Sequence, residues 1–199
     1  MSKVRDINNY FGDTDLFLLD LILKEKIPEK ARILDAGCGE GRNAIFFIRE
    51  GHDYLGIDSD HSKVQLAQYM ANNISTSRAK FEVGDIGDLQ EFGLFDVVIC
   101  SKVLHFANTE DDFHQMWKNL SDRLVPNGVL YVSMDSMIDN NLGVATDNGK
   151  YEFPDGAVRF AITNMLYNEI KKGFEAVEPL KTLVQNETRA QSFFALRKV

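Results

Sequence analysis

The chain has 199 residues, 22 Lys and Arg against 30 Asp and Glu, a formal net charge of −8 and 44% hydrophobic residues. A core of this size buries roughly 70% of what the unfolded chain exposes, so no structural metal is needed, and Cys38 and Cys100 are too few for a disulfide framework or a tetrahedral thiolate zinc site. The acidic balance without a Lys/Arg run counts against nucleic acid, and the lack of an apolar leader at the N-terminus predicts a cytoplasmic chain with no membrane partner.

Asp13 or Thr14 reads as the N-cap of a helix over Asp15 to Lys26, which stops before Pro28 because the residue preceding proline disfavours the α region. Its apolar run, Leu16 to Leu23, is interrupted by Asp20 and is far shorter than a bilayer span. Ala31 to Asp35 predicts a short strand. Glu40 to Glu50 predicts a helix with Ala44, Ile45, Phe47 and Ile48 inward and Gly51 just past its end. Tyr54 to Ile57 as strand, His61 to Asn73 as helix and Lys80 to Val83 as strand follow. The unbroken FDVVIC of Phe95 to Cys100 suits a strand buried on both faces. Thr109 as N-cap, with Asp112 at the capping-box position, opens a helix whose stripe is Phe113, Met116, Trp117, Leu120 and Leu124.

Pro126-Asn127-Gly128 predicts a turn, and Val129 to Met134 another strand. Asp135 to Gly156 loses both periodicities and collects Asp, Asn, Gly and Thr, which predicts a long loop or lid; Ala157 to Lys171 returns to helix. Two runs near Ala176 to Val184 and Gln191 to Arg197 have no helix between them and predict an antiparallel pair. The alternation predicts an α/β, doubly wound, mostly parallel sheet with helices on both faces. It is read as one domain: 1–30 a helical cover, 31–134 a cofactor-binding core, 135–156 a substrate loop or lid, and 157–199 a C-terminal helix with antiparallel strands.

Open α/β sheets bind ligands beyond the carboxyl ends of their strands, and the first such turn is Asp35-Ala36-Gly37-Cys38-Gly39-Glu40-Gly41. A dinucleotide fingerprint needs G-x-G-x-x-G, but Arg42 stands at its third glycine and the spacing is G-x-G-x-G, which disfavours NAD and FAD; no Gly-Lys-Ser/Thr closes a P-loop. Asp58 ends the second strand, where a carboxylate can accept from both hydroxyls of a ribose. Asp85 follows the third, where it can accept from an exocyclic amine while a neighbouring apolar side chain covers a purine. Carboxylates in place of cations suit a nucleoside cofactor carrying an ammonium and a sulfonium.

At these residues the chain resembles the class I S-adenosylmethionine-dependent methyltransferases. ILDAGCGEGRN (Ile33 to Asn43), GIDSDHSKVQLA (Gly56 to Ala67), VGDIGDL (Val83 to Leu89) and FDVVICSKVLHF (Phe95 to Phe106) are similar to four of the family's motifs, in order. The resemblance implies a seven-stranded sheet in the order 3-2-1-4-5-7-6 with the last strand antiparallel. It implies that Asp35, Gly37, Cys38 and Gly39 hold the methionine moiety, Asp58 and Ser59 the ribose, Asp85 with Ile86 the adenine, and that Cys100 and Ser101 lie near the methionine amine and the methyl donor. The Gly41-Arg42-Asn43 continuation and the short chain are most similar to small-molecule and tellurite-resistance-type members.

Methyl transfer from a sulfonium is an in-line displacement, so a base matters only for an acceptor with a proton to lose. His105, at the mouth of the cleft, is the candidate base; its alternative is a backbone-bonded histidine without chemistry. Candidate substrate contacts are Tyr10, beside Phe11 in an N-terminal cover, Arg42 toward an anionic acceptor, and Tyr151 with Phe153 on the lid. The alternatives for Tyr10 and Arg42 are simple packing and a surface ion pair with Glu40 or Asp60. No metal is expected. The expected partner is a small-molecule acceptor, for a monomer or homodimer, and the alternatives are a cofactor-binding module without transfer activity or a protein methyltransferase.

Overall fold

The structure, a computed structural model, describes residues 3–74 and 79–199. Residues 1 and 2 of the N-terminal cover and 75–78 of the core segment lie outside the described residues. Two helices come first, α1 (Lys3–Phe11) and α2 (Leu16–Leu23). The alternation then runs β1 (Arg32–Ala36), α3 (Ala44–Arg49), β2 (Asp53–Asp58), α4 (His61–Ile74), β3 (Lys80–Val83), β4 (Phe95–Ser101), α5 (Glu110–Ser121) and β5 (Leu124–Asp135). It closes with β6 (Val144–Ala145), β7 (Lys150–Glu152), β8 (Val158–Phe160), α6 (Asn164–Ile170), β9 (Phe174–Ala176), β10 (Lys181–Gln185) and β11 (Arg189–Lys198).

Strand alternation sorts the core into two layers. On β4, Val98 and Cys100 pack with Phe113, Trp117 and Leu120 of α5, while Val97 and Ile99 pack with Leu18, Phe47 and Val64 of α2, α3 and α4. The main sheet runs β3-β2-β1-β4-β5-β11-β10. Its first five strands are parallel, β11 is antiparallel to β5, and β10 is antiparallel to β11. This is the expected order, with β10 as sixth strand and β11 as seventh. Among the described residues, no helix is long and apolar enough to cross a membrane.

Several boundaries differ from the sequence reading. Asp15 itself, and neither Asp13 nor Thr14, caps α2, its Oδ1 accepting from Phe17 N–H at 3.2 Å. That helix ends before Lys26, because Glu25 turns to φ 54° and the N–H groups of Glu25 and Lys26 bond back to Ile22 O and Leu21 O, the two bonds of a Schellman ending. Glu40 to Asn43 stay in turns, since Gly39 and Gly41 at φ 54° and 79° cannot enter an α-helix. Thr109 caps α5 as expected, but Asp112 reaches back to Asn108 N–H and not to the N-cap's own.

Pro126-Asn127-Gly128 is absorbed into β5 as a bulge, between the pairs Phe95 with Leu124 and Val97 with Val129. The run near Ala176 to Val184 is two strands in line on one edge of β11, broken where Pro179 cannot donate to the ladder. The segment read as loop and helix over 135–171 holds a small antiparallel sheet, β6-β7-β8. Phe160 stacks on Phe113 with ring centroids 5.0 Å apart, which anchors 158–160 as a strand, and the helix begins only after Thr163 caps α6.

Candidate functional site

The carboxyl ends of β1 to β4 border a cleft of about 190 Å³, lined by Gly37, Asp58, Ser59, Asp85, Ile86 and Phe106 among others. Beyond β1 the chain folds back, with Gly37 N–H and Cys38 N–H both donating to Ile57 O at 2.7 and 2.9 Å. Gly37 sits at φ 80°, and a Cβ there would run into Cγ2 of Val103; Gly39, at φ 54°, has open space on that side. The second glycine therefore offers bare backbone against which a ligand can lie. Gly39 N–H donates to Asp58 Oδ2 at 2.8 Å and Asp60 N–H to its Oδ1 at 2.9 Å. Two backbone donors thus aim the carboxylate, and each oxygen keeps a further lone pair.

Asp85 caps the 3-10 turn Ile86–Phe92 through Gly87 N–H at 2.7 Å, at the exposed side of the cleft. Ile86 and Phe106 give it apolar walls, and Phe106 is 70% exposed. Asp35 lies buried beneath the glycine turn. Tyr54 Oη donates to its Oδ2 at 2.5 Å, while Oδ1 has no partner, and burial pushes its pKa up to about 6. Cys38 and Cys100 are free thiols in the two opposite core layers, their pKa values raised by burial, and neither lines the cleft.

Ser101 belongs to a network that long-range packing assembles around Asp15. Its Oγ lies 3.2 Å from Asp15 Oδ2 and 2.9 Å from Ser133 Oγ, and Tyr131 Oη donates to Asp15 Oδ1 at 2.6 Å. Arg42 enters the same network, donating to Ser101 Oγ at 3.2 Å and pairing with Asp15 at 3.5 Å. The surface pairs of Arg42 with Glu40 or Asp60 are not formed, and its guanidinium instead joins the end of β4 to the segment leading into α2. Asp15, Tyr131 and Ser133 were missed by sequence reasoning; the one local signal was an aspartate directly before the apolar run of α2.

His105 is 5% exposed, and burial lowers its pKa to about 4 despite the opposing pull of Asp135. Burial thus disfavours the protonated ring and moves it away from the range that suits proton exchange at neutral pH. Its Nδ1 has no hydrogen-bond partner, and Asp135 Oδ2 lies 3.8 Å away. Tyr10 stands apart from the cleft lining, packing on Phe11 and Phe46 and donating to Glu50. Tyr151 sits in β7 opposite Arg159 and Phe153 is buried, so neither opens onto the cleft. Away from the cleft, Glu110, His114 and Glu169 hold potential ligand atoms within 4.8 Å of one another.

Sheet order, glycine turn and strand-end carboxylates together define a class I, S-adenosylmethionine-type methyltransferase domain. Residues 27–185 match the family model described as a methyltransferase domain, and the chain belongs to that family. It is 33% identical over 94 residues to the 2-heptyl-1-hydroxyquinolin-4(1H)-one methyltransferase of Mycobacteroides abscessus, over 47% of this chain and 40% of that protein. The fold is shared with the 1,6-didemethyltoxoflavin-N1-methyltransferase of Burkholderia thailandensis, solved with 1,6-didemethyltoxoflavin and S-adenosylhomocysteine bound. That structure gives a TM-score of 0.72 at 18% identity, covering 98% of this chain and 82% of that one. TehB from Haemophilus influenzae gives 0.67 at 17% identity, covering 90% and 62%. The chain spans less than half the length of the curated relatives it matches.

Proposed function

We propose that this chain transfers a methyl group from S-adenosylmethionine to a small-molecule acceptor. The observation that carries the reading is a bare glycine turn flanked by Asp35, Asp58 and Asp85 at the ends of three adjacent strands, with a buried oxygen of Asp35 unpartnered. Such a site attracts a ligand with cationic groups and a ribose and repels a pyrophosphate. Asp58, with Ser59 beside it, would accept from the ribose hydroxyls, and Asp85 with Ile86 would frame the adenine. Asp35, Gly37, Gly39 and the backbones of Cys38, Cys100 and Ser101 would hold the methionine end.

When bound, the donor supplies a methyl on a sulfonium whose leaving group is neutral, so no side-chain nucleophile is required. The chain's task is alignment and exclusion of water. His105, with its pKa near 4, is a hydrogen-bond acceptor in this reading and too weak a base to deprotonate an ordinary alcohol. A small acceptor is favoured because two similar proteins are named for small molecules. The same reading takes a monomer or homodimer in the cytoplasm.

Isothermal titration with S-adenosylmethionine and S-adenosylhomocysteine tests it. Saturable binding is expected, weakened about tenfold or more in Asp58→Ala, the scale of a lost charged hydrogen bond. If well-folded wild type binds neither, the reading fails.

A further inference from the structure

Buried polar atoms without partners are rare in folded chains, and each calls for an explanation. Three of those among the described residues gather where the carboxyl ends of β4 and β5 meet the amino end of β11: His105 Nδ1, Asp135 Oδ2 and Gln191 Nε2. Asp135 is fully buried, His105 Nδ1 lies 3.8 Å from its Oδ2, and Gln191 pairs directly with it across the β5 and β11 ladder. Two arginines converge on the same carboxylate. Arg189 donates from Nε to Oδ1 at 2.7 Å, and Arg159 Nε, carried on β8, lies 3.4 Å from Oδ2.

The cluster is separate from the cleft but adjoins it, because His105 and the cleft-lining Phe106 are neighbours in one 3-10 turn. Its charge departs from that of the chain. Arg159, Arg189 and Lys102 all bear on the His105 ring, against Asp135 and against Asp155, whose Oδ2 pairs with Arg159 Nη2 at 2.9 Å. Among the described residues, the two Nη groups of Arg189 make no hydrogen bond, which leaves the planar fork that suits a carboxylate unengaged.

We propose that Arg189, Gln191, Asp135, Arg159 and His105 form the acceptor subsite, and that it takes an acceptor bearing a carboxylate or similar oxyanion. Arg189 Nη and Gln191 Nε2 donate to the oxyanion, and neutral His105 faces the part of the acceptor nearest the methyl donor. His105, Asp135 and Gln191 are at most 5% exposed, but the Arg189 side chain above them is 28% exposed, so the oxyanion reaches the guanidinium fork from the surface. This inference rests on reading the cleft as the donor site.

The test is binding of benzoate, salicylate and indole-2-carboxylate, each against its primary amide, to protein saturated with S-adenosylhomocysteine. At least one acid is expected to bind more tightly than its amide, by about tenfold or more, the scale of a charged hydrogen bond. Arg189→Gln is expected to erase that preference while S-adenosylhomocysteine affinity stays at the wild-type value, and Arg189→Lys to restore part of it. Gln191→Leu, which leaves every charge in place, is expected to weaken the acids more than the amides. Acids that bind no better than amides, no acid binding at all, or a preference that survives Arg189→Gln would each overturn the inference. Failure to bind S-adenosylhomocysteine would instead overturn the reading of the cleft.

Discussion

Asp35 and His105 are both buried, and burial moves their titrations in opposite directions. For His105 the folded pKa, about 4, lies below the unfolded value near ~6.5, so between these the unfolded chain binds more protons and stability falls as pH falls. Asp35, raised to about 6, does the reverse: its folded form holds the proton longer, and stability falls as pH rises from ~4 to 6. The two partly cancel in the wild type, so a comparison with His105→Asn isolates the imidazole. Urea unfolding at several pH values should show the wild type losing up to about 3 kcal/mol relative to this variant between pH 6.5 and 4. Equal pH slopes would show that the histidine is not held neutral. The strand-end aspartates were legible from sequence because a carboxylate directly after a buried strand is placed by the strand itself. The neutrality of His105 was not, since it depends on what surrounds the ring.

Helix ends show how local chemistry sets element boundaries. α2 and α3 close with the same pair of reverse bonds, His52 N–H to Phe47 O and Gly51 N–H to Ile48 O in α3 matching Lys26 to Leu21 and Glu25 to Ile22 in α2. Glycine stands at the left-handed position of α3, at φ 73°, but in α2 that position is Glu25 at φ 54°. A side chain is disfavoured there by roughly 1 kcal/mol, and Glu25 accepts no hydrogen bond from a neighbouring side chain among those formed by the described residues. Glu25→Gly should therefore raise stability by up to about 0.5 kcal/mol, net of the entropy glycine adds to the unfolded chain. A lower midpoint in urea would contradict this. The expected strand at Lys80 to Val83 and helix from His61 matched because their patterns are long or cleanly bounded. The strand at 158–160 was read as helix because its anchor, Phe113, lies more than forty residues away in sequence.

Across the whole molecule, Asp15 ties the N-terminal helices to the sheet. Its carboxylate collects Tyr131, Ser101, Ser133 and Arg42 from β5, β4 and the glycine turn, and its N–H donates to Asn43 Oδ1 at 3.0 Å. Asp15→Asn keeps the shape and the cap but leaves Arg42 without its counter-ion. It should lower stability by about 1–3 kcal/mol, the range for hydrogen bonds to charged groups, and weaken donor binding through the displaced turn. An unchanged unfolding midpoint and unchanged S-adenosylhomocysteine affinity would show that Asp15 does not hold the turn.

The strand order was implied by the resemblance to a known family; sequence by itself determined the α/β alternation, the ligand-binding end of the sheet and the residues of the glycine turn. These follow from local rules: strand periodicity fixes which faces are buried, and glycine and aspartate at strand ends fix how backbone and carboxylates are presented. The tertiary structure decided which polar groups meet. Asp15 with Ser101 and Tyr131, and Asp135 with Arg159, Arg189 and His105, are brought together by strand pairing and helix packing, and their burial, unmet hydrogen bonds and protonation states exist only once distant segments close around them.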